Sequence, residues 1–139
     1  TVYGPRQRPD MAFHKFLRAI YTGEAIPVYG DGEQTRDFTY IADAVEANVL
    51  TMAHGSPGDY LNIGGGSRVT LNECLRVLGE VTGRKVRVAH QPVQHGDVRH
   101  TWADTTLAER ILGFKPRVSL REGLVAEAHW YRREMLGEG

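Results

Sequence analysis

Glycines at 23, 83 and 113 each close a run whose apolar residues recur at three- and four-residue spacing, and short extended stretches lie between those runs. That punctuation permits a small α/β fold and little else, because a helical period cannot settle as a strand. In the first run Asp10 can cap a helix carrying Phe13, Phe16, Leu17 and Ile20, which predicts a helix over residues 10–22. Residues 26–29 read as a short strand closed by the turn Gly30-Asp31-Gly32, and residues 38–41 as a second extended piece. From Asp43 onward Val45, Val49 and Met52 mark a further helix.

Residues 59–63 form a strand candidate leading into Gly64-Gly65-Gly66. Thr70 and Glu73 have the spacing of a capping box, opening a helix through Leu71, Cys74, Leu75, Leu78 and Val81. Residues 86–89 are another strand candidate, and after an irregular stretch a helix covers residues 105–112. Ser119 and Glu122 repeat the capping box before a last helix through Leu120, Leu124, Ala128 and Met135. There is no repeat and no interior linker, so the 139 residues read as a single α/β domain with long binding loops.

Seventeen basic residues balance seventeen acidic ones, which leaves no general field to draw in nucleic acid or anionic lipid. An anionic ligand must be met by local charge. The single cysteine, Cys74, sits among leucines and reads as a small core residue, fitting a reducing, cytoplasmic setting. No apolar run approaches the roughly 20 residues of a membrane helix. The opening Thr1-Val2-Tyr3-Gly4-Pro5, without a start methionine, reads as a position inside a longer protein.

The familiar catalytic patterns are missing. The glycine triplet lies between a strand and a helix, but a dinucleotide fingerprint would place glycine at 69, where the chain has Val69. A tight turn accounts for it better. No tyrosine stands four residues before Lys15, Lys85 or Lys115, positions held by Met11, Val81 and Ile111. The six histidines are scattered without metal-ligand spacing, and no nucleophile motif is present.

Two arginine-bearing loops remain. The segment from Gly30 to Phe38 puts Arg36 at the end of a flexible turn, and Gly96-Asp97-Val98-Arg99-His100 places a carboxylate and an arginine in a second loop. Guanidinium geometry matches phosphate oxygens two at a time, although an arginine read alone is more often a surface ion pair than a ligand.

The segments Thr1-Val2-Tyr3-Gly4-Pro5-Arg6-Gln7, residues 26–40, Tyr60-Leu61-Asn62-Ile63-Gly64-Gly65-Gly66 and residues 96–104 stand in one order over most of the chain. In that order they resemble the C-terminal part of the extended short-chain dehydrogenase/reductases, the NAD-dependent sugar-nucleotide epimerases and dehydratases. The resemblance implies a small mixed α/β substrate-binding domain without the Rossmann half. It makes Arg36 and Arg99 the arginines of the nucleotide diphosphate, Asp97 the acceptor for the ribose, and Pro27 and Tyr29 the strand against the uracil. Thr1 and Arg8, in a run Arg8-Pro9-Asp10-Met11-Ala12 similar to UDP-glucuronate 4-epimerases, would face the sugar carboxylate, although Arg8 serves equally well as a loop cap.

The same resemblance implies that NAD and a Tyr/Lys pair belong to an upstream portion, so that this chain alone holds no cofactor, carries no catalytic residue and is an inactive part of a UDP-sugar 4-epimerase. Alternatives of other kinds are a stand-alone nucleotide-sugar-binding module, part of a dehydratase or decarboxylase, or a remnant that pairs through surface the missing half would cover.

Overall fold

The computed structural model describes every residue except 67, 94, 95, 97 and 139. Five helices and six short strands follow in the order β1 (Val2–Tyr3), α1 (Ala12–Thr22), β2 (Ala25–Tyr29), β3 (Thr35–Asp37), β4 (Thr39–Tyr40), α2 (Ile41–His54), β5 (Arg68–Thr70), α3 (Leu71–Thr82), β6 (Arg87–Gln91), α4 (Thr106–Leu112) and α5 (Leu120–Met135). The strands pair two by two. β1 lies parallel to β4, β2 parallel to β6, and β3 antiparallel to β5.

The helix ends follow their chemistry. Gly23, Gly83 and Gly113 all sit in the left-handed region as C-caps, which costs glycine nothing and an L side chain about 1 kcal/mol or more. Ser119 and Glu122 make the full reciprocal box that starts α5. The box expected at α3 is half formed: Thr70 accepts from the Glu73 N–H at 3.1 Å, but the Glu73 carboxylate turns outward to Arg76. The expected cap of α1 is also corrected. Met11 occupies the N-cap position, and the Asp10 carboxylate is taken up by Arg8.

Residues 59–63 carry no ladder among the described residues, contrary to the strand reading. A strand needs a partner edge, and the three pairs offer this segment none. The remaining boundaries shift by a residue or two, with α2 beginning at Ile41 and β6 running to Gln91.

The main core gathers Phe13, Leu17 and Ile20 of α1, Ile26 and Val28 of β2, Cys74 and Leu78 of α3, and Leu124 and Ala128 of α5 around Tyr3. β2 alternates cleanly, with Ile26 and Val28 inward and Ala25, Pro27 and Tyr29 outward. Cys74 is fully buried, as its leucine-rich context implied, and burial pushes its thiol up to about 12. A second, smaller cluster joins Ala47 of α2 to Ala108, Leu112 and Phe114. The buried Asp43 fixes α2 to the segment before α5 by accepting from Arg117 N–H at 3.1 Å and Val118 N–H at 3.2 Å. Among the described residues no helix is long and apolar enough to cross a membrane.

Candidate substrate site

The turn that carries Arg36 is built by the start of α3. Asn72 N–H donates to the Gly32 carbonyl at 3.0 Å, and its side-chain amide donates to the Asp31 carbonyl at 3.0 Å and to Glu33 Oε1 at 2.6 Å. Leu71 N–H closes the set on the Gln34 carbonyl at 3.2 Å. Gly32 is at φ +77°, and a Cβ there would fall 2.1 Å from Asn72 Oδ1, so the turn needs glycine for both its conformation and its space.

The late loop is laid alongside this turn. Thr35 N–H donates to the Arg99 carbonyl at 2.9 Å, and Thr101 N–H to the Thr35 carbonyl at 3.2 Å, forming an isolated parallel bridge between Thr35 and His100. A 2.9 Å contact between Thr35 Oγ1 and His100 Nδ1 reinforces it. Arg36 and Arg99, 63 residues apart, thereby become neighbours: Arg36 Nη1 donates to the Thr35 carbonyl at 2.9 Å and to the Arg99 carbonyl at 3.4 Å. Arg99 Nη2 is paired with Asp31 Oδ2 at 2.9 Å. The Asp31 carboxyl is held below its usual range, first by the Glu33 N–H and then by Arg99.

Two depressions meet at Gln34. The larger, about 250 Å³, is lined by Thr1, Met11, Ala12, Phe16, Arg36, Phe38 and Leu71 together with Gln34. The smaller, about 50 Å³, is bounded by Tyr29, Gly30, Asp31, Val93 and Arg99, again with Gln34, whose side-chain amide donates to the Tyr29 carbonyl at 3.2 Å. Thr1 also lines a third depression of about 290 Å³ with Asp37, Asn62, Gly64 and Trp102. Joined at Gln34, the two depressions form a trough running from Tyr29 and Arg99 to Arg36 and Thr1, with Phe16, Phe38 and Leu71 among its apolar lining.

Of the residues singled out in the sequence, Thr1, Tyr29, Arg36 and Arg99 line this trough. Pro27 is exposed on the same face of β2 as Tyr29 but lines neither depression. Arg8 is turned away: its guanidinium grips Asp10 at two points, 3.1 and 2.8 Å, and its neighbour Met11, not Arg8 itself, reaches the cavity wall. Asp97 lies outside the described residues.

Gln34, Phe38 and Leu71 were not legible as lining residues, since a glutamine or a leucine carries no chemical signature. Glu127 carried a sequence signal of its own: it is an acidic residue at helical spacing from the apolar Leu124 and Tyr131 and next to Ala128, all buried along α5.

The glycine triplet can be tested as a dinucleotide cradle. Gly65 N–H donates to Asp37 Oδ1 at 2.7 Å, and a Cβ at Gly65 would meet the Phe38 carbonyl oxygen at 1.9 Å. At Gly64 the neighbour would be Asp37 Oδ2, at 2.4 Å. These glycines let the loop lie against β3, and a carboxylate already occupies the amide a pyrophosphate would need. The triplet does not fit NAD. Among the described residues no group of three or more His, Cys, Asp or Glu side chains could hold a metal ion.

Comparison with known proteins shows which family this small mixed α/β fold belongs to. The sequence profile of the family described as GDP-mannose 4,6 dehydratase matches residues 1–126. The chain belongs to this family of extended short-chain dehydrogenase/reductases, the NAD-dependent epimerases and dehydratases. It is 35% identical over 138 residues to the UDP-glucuronate 4-epimerase of Thermodesulfobacterium geofontis, covering 97% of this chain and 42% of that protein. With YtcB of Bacillus subtilis, described as an uncharacterized UDP-glucose epimerase, it shares 38% identity over 99% of this chain and 44% of the relative. The Bacillus cereus UDP-glucuronic acid 4-epimerase, solved with UDP-glucuronic acid and NAD, superposes with a TM-score of 0.90 at 36% identity, over 96% of this chain and 43% of that one. MoeE5, solved with UDP-glucuronic acid and NAD, gives 0.89 at 46% identity over 96% and 45%. The chain therefore spans less than half the length of the relatives it matches.

Proposed function

We propose that this chain is the UDP-sugar subsite of an NAD-dependent UDP-sugar 4-epimerase acting on UDP-glucuronate or UDP-glucose. The observation that carries this reading is the trough that sets Arg36 beside Arg99 at one end and Thr1 at the other. Arg36, laid against the Arg99 backbone carbonyl, and the Arg99 guanidinium offer donors to a diphosphate, Tyr29 supplies a flat apolar face for a base, and the cavity of about 250 Å³ accommodates a hexose toward Thr1. In this reading a doubly charged diphosphate competes with Asp31 for Arg99, an exposed pair.

Binding UDP-glucuronate in this reading requires Arg8 to leave Asp10 for the sugar carboxylate. Both partners of that pair are largely exposed, and such pairs are worth only about 0–1 kcal/mol, so the exchange is inexpensive. A neutral sugar leaves the pair intact, which is why both substrates remain open to the same site.

In its longer relatives NAD supplies hydride transfer, and this chain contributes binding and orientation. It is one domain that, alone, performs no turnover. Arg36 and Arg99 hold the nucleotide, and Thr1 orients the sugar at the opposite wall. The apolar face of α2 at Val45, Val49 and Met52 is where we place the portion that the relatives carry beyond the matched segment.

Calorimetry with UDP tests the reading. Wild-type chain is expected to bind, and Arg36→Ala to weaken binding about tenfold, the scale of a charge-assisted hydrogen-bond pair. Binding equal in the two proteins, or none in the wild type, would overturn it. Incubating the chain with NAD and UDP-glucuronate is expected to give no epimerised product; turnover would show that the cofactor site is here.

A further inference from the structure

α5 meets Tyr3 of β1 and the adjoining Gly4 through residues 119, 120, 123 and 127. Gly123 makes room for the Tyr3 ring: a Cβ there would sit 2.2 Å from the Tyr3 hydroxyl oxygen. That hydroxyl donates toward the Ser119 and Leu120 carbonyls at 3.5 and 3.4 Å. One turn further along the same face, Glu127 Oε2 accepts the Gly4 N–H at 3.0 Å across 123 residues of sequence. Glu127 is 0% exposed, and its Oε1 has no hydrogen-bond partner among the described residues.

A fully buried carboxyl with an unsatisfied oxygen is a costly residue to keep in an apolar stripe where leucine would pack without penalty. What it supplies is a fixed anchor for Gly4. That residue lies at φ +132°, and a Cβ on it would strike Ile41 at 2.7 Å and Tyr40 at 3.0 Å, so the backbone is pressed between α2 above and α5 below. From Gly4 the constraint passes along β1, whose register Val2 to Thr39 and Tyr3 to Tyr40 fixes the strand on β4, while the Thr39 N–H donates to the Thr1 carbonyl at 2.9 Å. Buried Gln7 extends the bracket on the other side, donating to the Val2 carbonyl at 3.2 Å and accepting from His14 N–H at 3.1 Å.

We infer that Glu127 is a positioning residue for the sugar end of the trough, holding the Thr1 wall in place through Gly4 without touching ligand. It rests on the proposed UDP-sugar reading only for the identity of what Thr1 meets. The nucleotide end hangs on α3 and the bridge from Thr35 to His100, to neither of which Glu127 is hydrogen-bonded among the described residues.

The two ends therefore separate in a binding experiment on Glu127→Leu and Glu127→Gln. Leucine fills the site without the acceptor; glutamine keeps an oxygen for Gly4. Glu127→Leu is expected to bind UDP within about twofold of wild type while losing about three- to tenfold for UDP-glucose, and Glu127→Gln to recover most of that loss. In amide NMR spectra without ligand, Glu127→Leu is expected to move Val2, Gly4 and Thr39 while leaving Gln34 and Arg36 in place. Equal losses for UDP and UDP-glucose, a glutamine variant no better than leucine, or unmoved Val2 and Gly4 amides would overturn the inference. A wild-type chain that binds no UDP would overturn the proposed function, and the amide spectra would still decide whether Glu127 anchors this wall. Should the leucine variant not fold, Gly123→Ala, which pushes Tyr3 and hence β1 off the same face, is expected to give the same split between ligands; no split would overturn the inference.

Discussion

At the residue scale, the proposed function divides the polar groups of this chain into those assigned to ligand and those that hold the frame. Arg8, paired with Asp10, is assigned to the first kind. Removing the competitor, as in Asp10→Asn, is expected to raise the ratio of UDP-glucuronate to UDP-glucose affinity by about two- to fivefold, the scale of an exposed ion pair. Arg8→Ala is expected to lower the same ratio, and calorimetry on both ligands checks each.

Glu127 is of the second kind. Burial pushes its carboxyl up to about 8, against which the Gly4 N–H bond pulls only weakly. Tyr3 and Tyr40 face it from β1 and β4, with Asp43 and Cys74 acting on those rings from α2 and α3, and the His14 and Tyr131 rings meet about a turn further along α5. Because the folded chain holds this proton more tightly than the unfolded chain, its stabilising contribution is complete below about pH 4.5 and is lost as pH rises toward about 8, at up to roughly 1.4 kcal/mol per unit. Urea titrations between pH 5 and 8 are expected to show stability falling in the wild type and a flatter profile in Glu127→Gln. Parallel profiles would mean that other groups set the pH dependence.

At the element scale, two glycines with the same conformation should behave differently. Gly23 and Gly32 both have φ +77°, yet nothing lies within 4 Å of a Cβ at Gly23, whereas at Gly32 the Asn72 amide is 2.1 Å away. Gly23→Ala is expected to cost about 1 kcal/mol and leave UDP binding intact; Gly32→Ala is expected to cost more and to weaken UDP binding as well, because the turn it distorts carries Arg36. Thermal melts and calorimetry on the pair check this.

The helices were legible in the sequence for the same local reasons that stabilise them: periodic apolar residues, glycine stops, and the Ser119–Glu122 box. The strands were less so. Residues 59–63 have strand-like composition, but a strand exists only where an edge is available, and that information is not local. Asp10 failed as a cap because a neighbouring guanidinium offered its carboxylate a better partner.

The site divides the same way. Arg36 and Arg99 could be singled out as phosphate-binding types, but their proximity depends on a bridge between Thr35 and His100 that no spacing rule reveals. Gln34 and Phe38 gain their roles only from where the trough runs.

At the scale of the whole molecule, the main core and the smaller α2–α4 cluster leave one side of α2 uncovered, with Val45 and Val49 half exposed, Met52 at 81% and nearby Tyr60 at 91%. An apolar face of this kind drives association when nothing covers it. Sedimentation of the chain is expected to show concentration-dependent self-association that Met52→Glu with Val49→Lys reduces. A strictly monomeric wild type would remove the reason for placing a partner there.

The trough itself is the most exposed to direct test. A crystal structure of the chain with UDP is expected to show the diphosphate between Arg36 and Arg99 with the base against Tyr29. A diphosphate seated instead on the amides of Gly64 to Gly66, or density for UDP away from the trough, would contradict the assignment.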